Sequence, residues 1–488
     1  MKLGLVILLA ACADNTVTVS PVIDVPANDS ASAFPLDQLV LSVADAGAAA
    51  DLVSQTFAKG ATVSLPGVPF GDDLVIHMTG KVGSSEIAYG RTCAISISAS
   101  GTTPPSPHLF FSREVKFADL DLPLQPVPRM DGVAITDVAG AGLILGGADP
   151  TTMAPMGSIE RFDPQTGALV VLATPPEVTP RSGAVAAQLG TGGDTRIALI
   201  GGADTNGNGA TFIELVEPDA PTGRRVDRVD DAQMARTALT ATALTDGRVI
   251  AIGGLAAGTP SNAVDEVTIA NGTATVRVLR AMLSFPRSAH TATRLGDDVG
   301  APVLVAGGLD ATKFPIATSE LFKPLSEEIS PTFKPMMVYP RSGHQAVRMP
   351  DGSVLIIGGT GVVDPINKPN TLGPIPNLEL FTTDAGFTDV GKLPPNAGLT
   401  ELAATPLPDG RVLLTGGHTA DGTVTDTAFI ARLDPIDGSV DVVATDHMSV
   451  PRAGHSATLL CDGTVFISGG TAAPAPAERY NPPSLDRR

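Results

Sequence analysis

Seven apolar runs, each stopped by two glycines, recur along most of this chain: LILGG (Leu143 to Gly147), IALIGG (Ile197 to Gly202), VIAIGG (Val249 to Gly254), VLVAGG (Val303 to Gly308), VLIIGG (Val354 to Gly359), VLLTGG (Val412 to Gly417) and VFISGG (Val465 to Gly470). Successive pairs stand 51 to 58 residues apart. A period of this size made of short strands is the signature of a β-propeller, one four-stranded blade per repeat. The fullest copy, PRSGHQAVRMPDGSVLIIGG from Pro340 to Gly359, holds an alternating segment, an Asp-Gly pair and a buried-type apolar run. Without Cβ, the paired glycines permit positive φ and close approach of a neighbouring backbone. The pairs Asp246-Gly247, Asp351-Gly352, Asp409-Gly410 and Asp462-Gly463 predict two-residue type I′ hairpins.

The chain has 488 residues, room for a large propeller and a second small domain. Gly 52 and Pro 42 suit a fold of many tight turns, and no long window carries a helical period. A net charge of −19 disfavours nucleic acid and anionic lipid, which need clustered Lys and Arg.

At the N-terminus Lys2 precedes an apolar stretch from Leu3 to Leu9, then Ala10, Ala11 and Cys12. This reads as an export signal too short to span a bilayer. Leu9-Ala10-Ala11-Cys12 resembles the lipobox of bacterial lipoproteins, which implies cleavage before Cys12 and its acylation; Ala13 after it implies sorting to the outer membrane. Residues 1–11 are therefore expected to be a lipoprotein signal and 12–35, rich in Asn, Ser, Asp, Ala and Pro, a flexible tether. Within 36–112, short alternating segments (39–43, 61–65, 73–80, 86–90, 93–98 and 108–111) predict a small β-sandwich. Leu65-Pro66-Gly67 before a long strand resembles the immunoglobulin-like or prealbumin-like modules of bacterial surface proteins.

Residues 113–488 resemble the kelch family of propellers. Six repeats open on an arginine, Arg129, Arg181, Arg236, Arg287, Arg341 and Arg452, with the glycine pair 17 to 20 residues later, and most reach a Glu-x-aromatic or Glu-x-aliphatic strand. The family's fourth-strand tryptophan is missing, since the chain contains none, and aliphatic runs such as Leu169 to Leu172 stand in for it. The arginines are matched by Glu160, Glu214, Glu266, Glu320, Glu379 and Glu478, whereas repeat six has Leu399 and Ala431 at the two positions. A buried ion pair is tolerable only when complete, so joint loss marks these charges as structural. The last repeat runs out of chain before its fourth strand, and EVKFADLDL from Glu114 to Leu122 is the segment expected to supply it.

Three histidines, His290, His344 and His455, share one repeat position and are expected to be structural. Asp204 to Gly209 copies the start of a calcium loop but has Leu215 where a bidentate Glu is needed, so a turn is expected there. Cys93 and Cys461 are permitted to pair in an oxidising compartment, which would demand docking of the two domains.

Pro451 to Gly470 is similar to repeats of the galactose oxidase and glyoxal oxidase group, whose copper radical site needs a Tyr crosslinked to Cys, a second Tyr and paired His. Tyr89, Tyr339 and Tyr480 sit in no such motif. The expectation is accordingly a non-enzymatic binding or scaffolding protein, with no cofactor and no metal, lipid-anchored at the outer membrane. An oxidase of copper-radical type or a hydrolase on the propeller face is the alternative. The longest connection after a glycine pair is Thr360 to Asn377, proline-stiffened and apolar. Its Val362, Val363, Asp364, Ile366, Lys368, Leu372 and Ile375 are the candidate contacts for a protein or peptide partner, favoured over a glycan because aromatic residues are few.

Overall fold

The computed structural model of the chain describes residues 16–26, 36–98, 106–172, 178–217, 226–470 and 474–483; the signal at 1–11 and Cys12 lie outside the described residues. Among those residues the chain is all β, with two short 3₁₀ turns and no α-helix.

The N-terminal domain is a six-stranded sheet running Ser112–Arg113, Ser85–Arg91, Gly71–Val82, Gln38–Asp45, Val53–Ala58, with Ile95–Ile97 also on Gly71–Val82. Two ribbons pack against it. Thr16–Val19 pairs antiparallel with Leu65–Pro69, and Val22–Asp24 pairs parallel with His108–Phe110. Residues 16–26 are therefore not tether: alternating Val17, Val19 and Ile23 turn apolar side chains into the core formed by Leu41, Val43, Ile76 and Met78. The strand expected over 61–65 begins only at Leu65.

The rest of the described chain forms six four-stranded antiparallel sheets and one six-stranded sheet with a four-stranded unit at its centre, here called blades one to seven, plus a three-stranded sheet on blade five. Blade five is typical: Gln345–Arg348, Val354–Ile357, Asn377–Thr382, Gly386–Lys392. The first strands of successive blades touch in a closed cycle, blade seven against blade one included. Every pair of consecutive blades encloses an apolar core, such as Ile144, Phe162, Leu460 and Phe466 between blades one and seven. Second strands are thus buried on both faces, which is why they read as continuous apolar runs without alternation.

Lys116–Asp119 supplies the fourth strand of blade seven, pairing antiparallel with Glu478–Asn481. This is the closure expected of the segment from Glu114 to Leu122, and without it Glu478–Asn481 would be an open edge.

The glycine pairs hold the blades together. The N–H of each second glycine donates to the carbonyl at the arginine position of the next blade, from Gly147 to Arg181 through Gly359 to Leu399 and, closing the ring, Gly470 to Arg129 at 2.7 Å. Both glycines are left-handed in all seven blades, and a Cβ on the first would come within 3.0 Å of that carbonyl. Glycine is required twice over, by φ and by space.

The Asp-Gly turns differ from the type I′ expectation. None of the four aspartates is left-handed. Each hairpin is a three-residue loop: Gly247, Gly352, Gly410 and Gly463 donate back three residues, as from Gly352 to the Met349 carbonyl at 3.0 Å, and take the left-handed position. Each aspartate Oδ1 accepts the N–H two residues on, at 3.0 to 3.2 Å, an Asx turn that Asp makes without positive φ. Pairs of left-handed residues occur instead at Ala257-Gly258 and Asn271-Gly272 in blade three.

Candidate functional site

Each blade has turns joining strands one to two and three to four at one end of the ring, the hairpin end. Strand two to three turns and the connectors between blades lie at the other, the loop end. The small domain occupies the hairpin end. Arg91 donates to the Cys461 carbonyl at 3.4 Å, Tyr89 and Arg91 share a crevice with Pro408 and Gly463, and Gly167 of blade one packs against Asp24 and His108. A disulfide joins Cys93 to Cys461, with Cα atoms 5.0 Å apart. These contacts all lie at the hairpin end.

The arginines sit buried at the loop end of their blades. Arg129 meets Glu160 at 3.0 Å, Arg181 Glu214 at 2.6 Å, Arg287 Glu320 at 2.9 Å, Arg341 Glu379 at 2.7 Å and Arg452 Glu478 at 3.0 Å. Blade three departs from the expectation: Arg236 pairs with Asp265, while Glu266 faces the other side and takes Arg248 and Arg277. Strand register explains this, since Asp265 lies opposite Ala251, two residues before the glycine pair, as Glu379 lies opposite Ile356. The same register puts Phe429, not Ala431, at the acid position of blade six, and Leu399 and Phe429 join one apolar core. Residues two beyond the acid position, Phe162, Val216, Val267, Phe322, Phe381, Ala431 and Tyr480, are buried in every blade. Core aromatics come from third strands, such as Phe162, Phe322, Phe381 and Tyr480, but also from the second strand at Phe466 and the fourth at Phe117 and Phe387; on the fourth strand of blade one Leu169 is buried and Val170 exposed.

These pairs stitch the blade together. Arg341 donates to the carbonyls of Gly358 and Asn377, and Glu379 accepts from Val338 and Tyr339 in the incoming connector. Desolvation pushes Arg341 below and Glu379 above their ordinary values, each against its partner's pull. The Arg341 guanidinium spends all three nitrogens inside the blade, whereas Arg129 Nε, Glu160 Oε2, Arg181 Nε and Nη1, Arg236 Nε and Asp265 Oδ1 are buried without a hydrogen-bond partner.

His290, His344 and His455 are buried, each with Nε2 on a threonine of the preceding blade: Thr240 at 3.2 Å, Thr291 at 2.9 Å and Thr415 at 2.8 Å. Their rings fill the space beside the first glycine of that blade, as Leu239 and Leu402 do elsewhere. Burial holds His344 and His455 neutral, pushed down to about 3. Asp204 accepts from Asn206 and Asn208 in a turn that Asp310 repeats with Thr312 and Phe314, so it is a feature of the repeat. Among the described residues no three His, Cys, Asp or Glu are grouped to hold a metal.

The blade-five connection is an ordered hairpin: Thr360–Asp364 pairs with Lys368–Pro374, and Arg341–Ser342 adds a third strand. Val362 and Ile375, 2% and 0% exposed, are core residues and not contacts. Ile366 at the tip is 89% exposed and Leu372 46%, with Lys368 exposed and Val363 and Asp364 half-buried. Asp364 accepts from the Asn367 N–H and so shapes the tip. Pro369 and Pro374 on the outer strand lack N–H donors.

Sequence reasoning missed one loop-end feature. The residues two beyond the arginine position, Asp131, Gly183, Ala238, Ala289, Gly343, Glu401 and Gly454, are all left-handed, with φ from 49 to 62°. Their backbones link across blades, as from Gly343 to Ala289 and from Asp131 to Gly454. Three glycines at one repeat position were the available signal. Withdrawal from water and then the Glu401 charge raise the Asp131 carboxyl.

No family model and no curated protein matches this sequence. Among solved structures, the chain is similar to a structure of YjhT, with 15% identity, a TM-score of 0.46 and coverage of 66% of this chain and 99% of that one. It is also similar to a fungal alcohol oxidase of the AA5 family in complex with copper, with 18% identity, a TM-score of 0.53 and 76% of each chain covered. The second likeness is one of fold. The described residues do not fit a copper radical centre: Cys93 and Cys461 are bonded to each other, and the hydroxyls of Tyr89, Tyr339 and Tyr480 bond His77, Asp389 and Thr445 at three separate places.

Proposed function

We propose that the ring is a seven-bladed kelch-type propeller carried on a small immunoglobulin- or prealbumin-like domain, and that it binds a protein or peptide partner at its loop end. In this reading the protein is exported, anchored to the outer membrane through acylated Cys12, and works as a non-enzymatic binder or scaffold. The observation that carries it is the division of the ends: the small domain lies on the hairpin end, while the blade-five hairpin projects from the other with Ile366 uncovered. The disulfide between Cys93 and Cys461 supports an oxidising compartment. A rigid, proline-flanked hairpin lowers the ordering cost of binding, and an apolar tip suits a protein groove better than a sugar.

The test replaces residues 363–374 with a short Gly-Ser turn, keeping Val362 and Ile375 because they are core. Partner capture from envelope extracts should vanish while the thermal melt stays. Retained capture would move the site elsewhere, and stoichiometric copper surviving dialysis would overturn the non-enzymatic reading.

A further inference from the structure

The ring is closed within blade seven by one non-covalent seam, the four paired residues of Lys116–Asp119 and Glu478–Asn481. On one side of it lies the N-terminal part of the chain, on the other the C-terminal part. We infer that the small domain is a thiol-reversible clasp across this seam.

Three contacts carry the inference, and each joins the two sides. Cys461, in the hairpin between strands one and two of blade seven, is bonded to Cys93 of the small domain. Its N–H also donates to the Gly140 carbonyl of blade one at 3.1 Å, and a Cβ on Gly140 would collide with it. Arg479, beside the seam, is buried, paired with Asp462 and bonded to Thr464. Its guanidinium lies 3.9 Å over Phe110 of the small domain and 5.5 Å from Phe162 of blade one. Asn481, at the end of the seam, donates to the carbonyls of Tyr89 and Ser112 at 2.8 and 3.0 Å.

The small domain is continuous with the fourth strand of the blade, and the disulfide attaches it to the first and second. The bond spans 368 residues and so turns the circuit of blades into a covalently closed loop. With it in place, separation of the seam strands gains little chain entropy; without it, the two sides are held by non-covalent contacts only, the strand pairing, Arg479, Asn481, the Lys116–Asp446 ion pair and the packing of Phe117 on Tyr480. Cys93 is buried and Cys461 partly accessible, so an incoming thiolate would have to approach from the Cys461 side. The exchange balances: two external thiols reduce the Cys93 to Cys461 bond, leaving two protein thiols and one external disulfide. Closing needs a donor disulfide, which is reduced in turn to two thiols.

The experiment is hydrogen exchange on the full chain, with and without dithiothreitol, at a temperature well below the melt. Amides of 116–119 and 478–481 should exchange at least about tenfold faster after reduction, with those of 303–306 in blade four little changed. No change at the seam, or equal acceleration in blade four, would overturn the clasp, the latter because the bond would then add only general stability. Cys93→Ser should reproduce the reduced pattern without reductant. Should that variant not fold, the wild-type comparison decides, and ready alkylation of Cys461 in the unreduced native chain would equally overturn the inference.

Discussion

At the hairpin end of the ring four Asp-Gly turns share one geometry, and the small domain lies across blades six, seven and one; at the loop end blades three and five carry three-stranded extensions, the longer in blade five. The strands between them are nearly interchangeable. The shared turn is not confined to docked blades, since Asp246-Gly247 and Asp351-Gly352 belong to blades three and five, while the longest loop-end excursion lies on the end opposite to the small domain. A rigid scaffold permits this, because loop length is tolerated wherever its ends stay fixed.

The strongest way to break this contrast is at the closing seam. Removing residues 113–122 should strip blade seven of its fourth strand and leave a bare edge, so that size-exclusion chromatography finds aggregates. A monomer with an unchanged melt would mean the ring closes otherwise.

Next in size is the charge at the loop end of each blade. Arg341→Met leaves Glu379 buried without its partner and should cost about 3–5 kcal/mol in chemical denaturation. Blade six shows the alternative, Leu399 with Phe429. Installing both, Arg341→Leu with Glu379→Phe, should recover most of the loss, since desolvation already works against both charged members. A double variant as unstable as the single would show that the charges, not their completeness, are needed.

Smaller is the response to acid. His344 and His455 stay neutral in the folded protein down to about pH 3, while their unfolded forms take up protons from about 6.5. The unfolded state therefore gains protons first, and stability falls as pH drops through that window, by up to about 1.4 kcal/mol per unit for each histidine. His344→Leu with His455→Leu, the residue found at Leu239 and Leu402, should flatten the melt against pH between 6.5 and 5. An unchanged slope would assign the acid response to the carboxylates.

Much of this was legible in the sequence. The glycine pairs carry the ring because their requirement is local, a φ and a missing Cβ, and the arginines follow from the repeat. Glu266 was mistaken for Asp265 because the two acids are adjacent, and only the pairing of the third strand with the second, which sets Asp265 opposite Ala251, tells them apart. Residues 16–26 read as tether because two short ribbons need partners distant in sequence, Leu65–Pro69 and His108–Phe110. At the candidate site, length and proline content marked the blade-five connection. They did not separate Val362 and Ile375, which pack inward, from Ile366, because a hairpin's inward face depends on what it lies upon.

Two isoleucines allow the division of the ends to be tested most directly. Ile366 tips the blade-five hairpin at the loop end and Ile436 the blade-six turn at the hairpin end, 89% and 93% exposed. A photo-crosslinking residue placed at one or the other should leave stability within about 0.5 kcal/mol, as befits exposed sites. Illuminated with envelope extract, the protein carrying the probe at position 366 should form a discrete adduct and that carrying it at 436 should not. An adduct from 436 alone, or equally from both, would contradict recognition at the loop end.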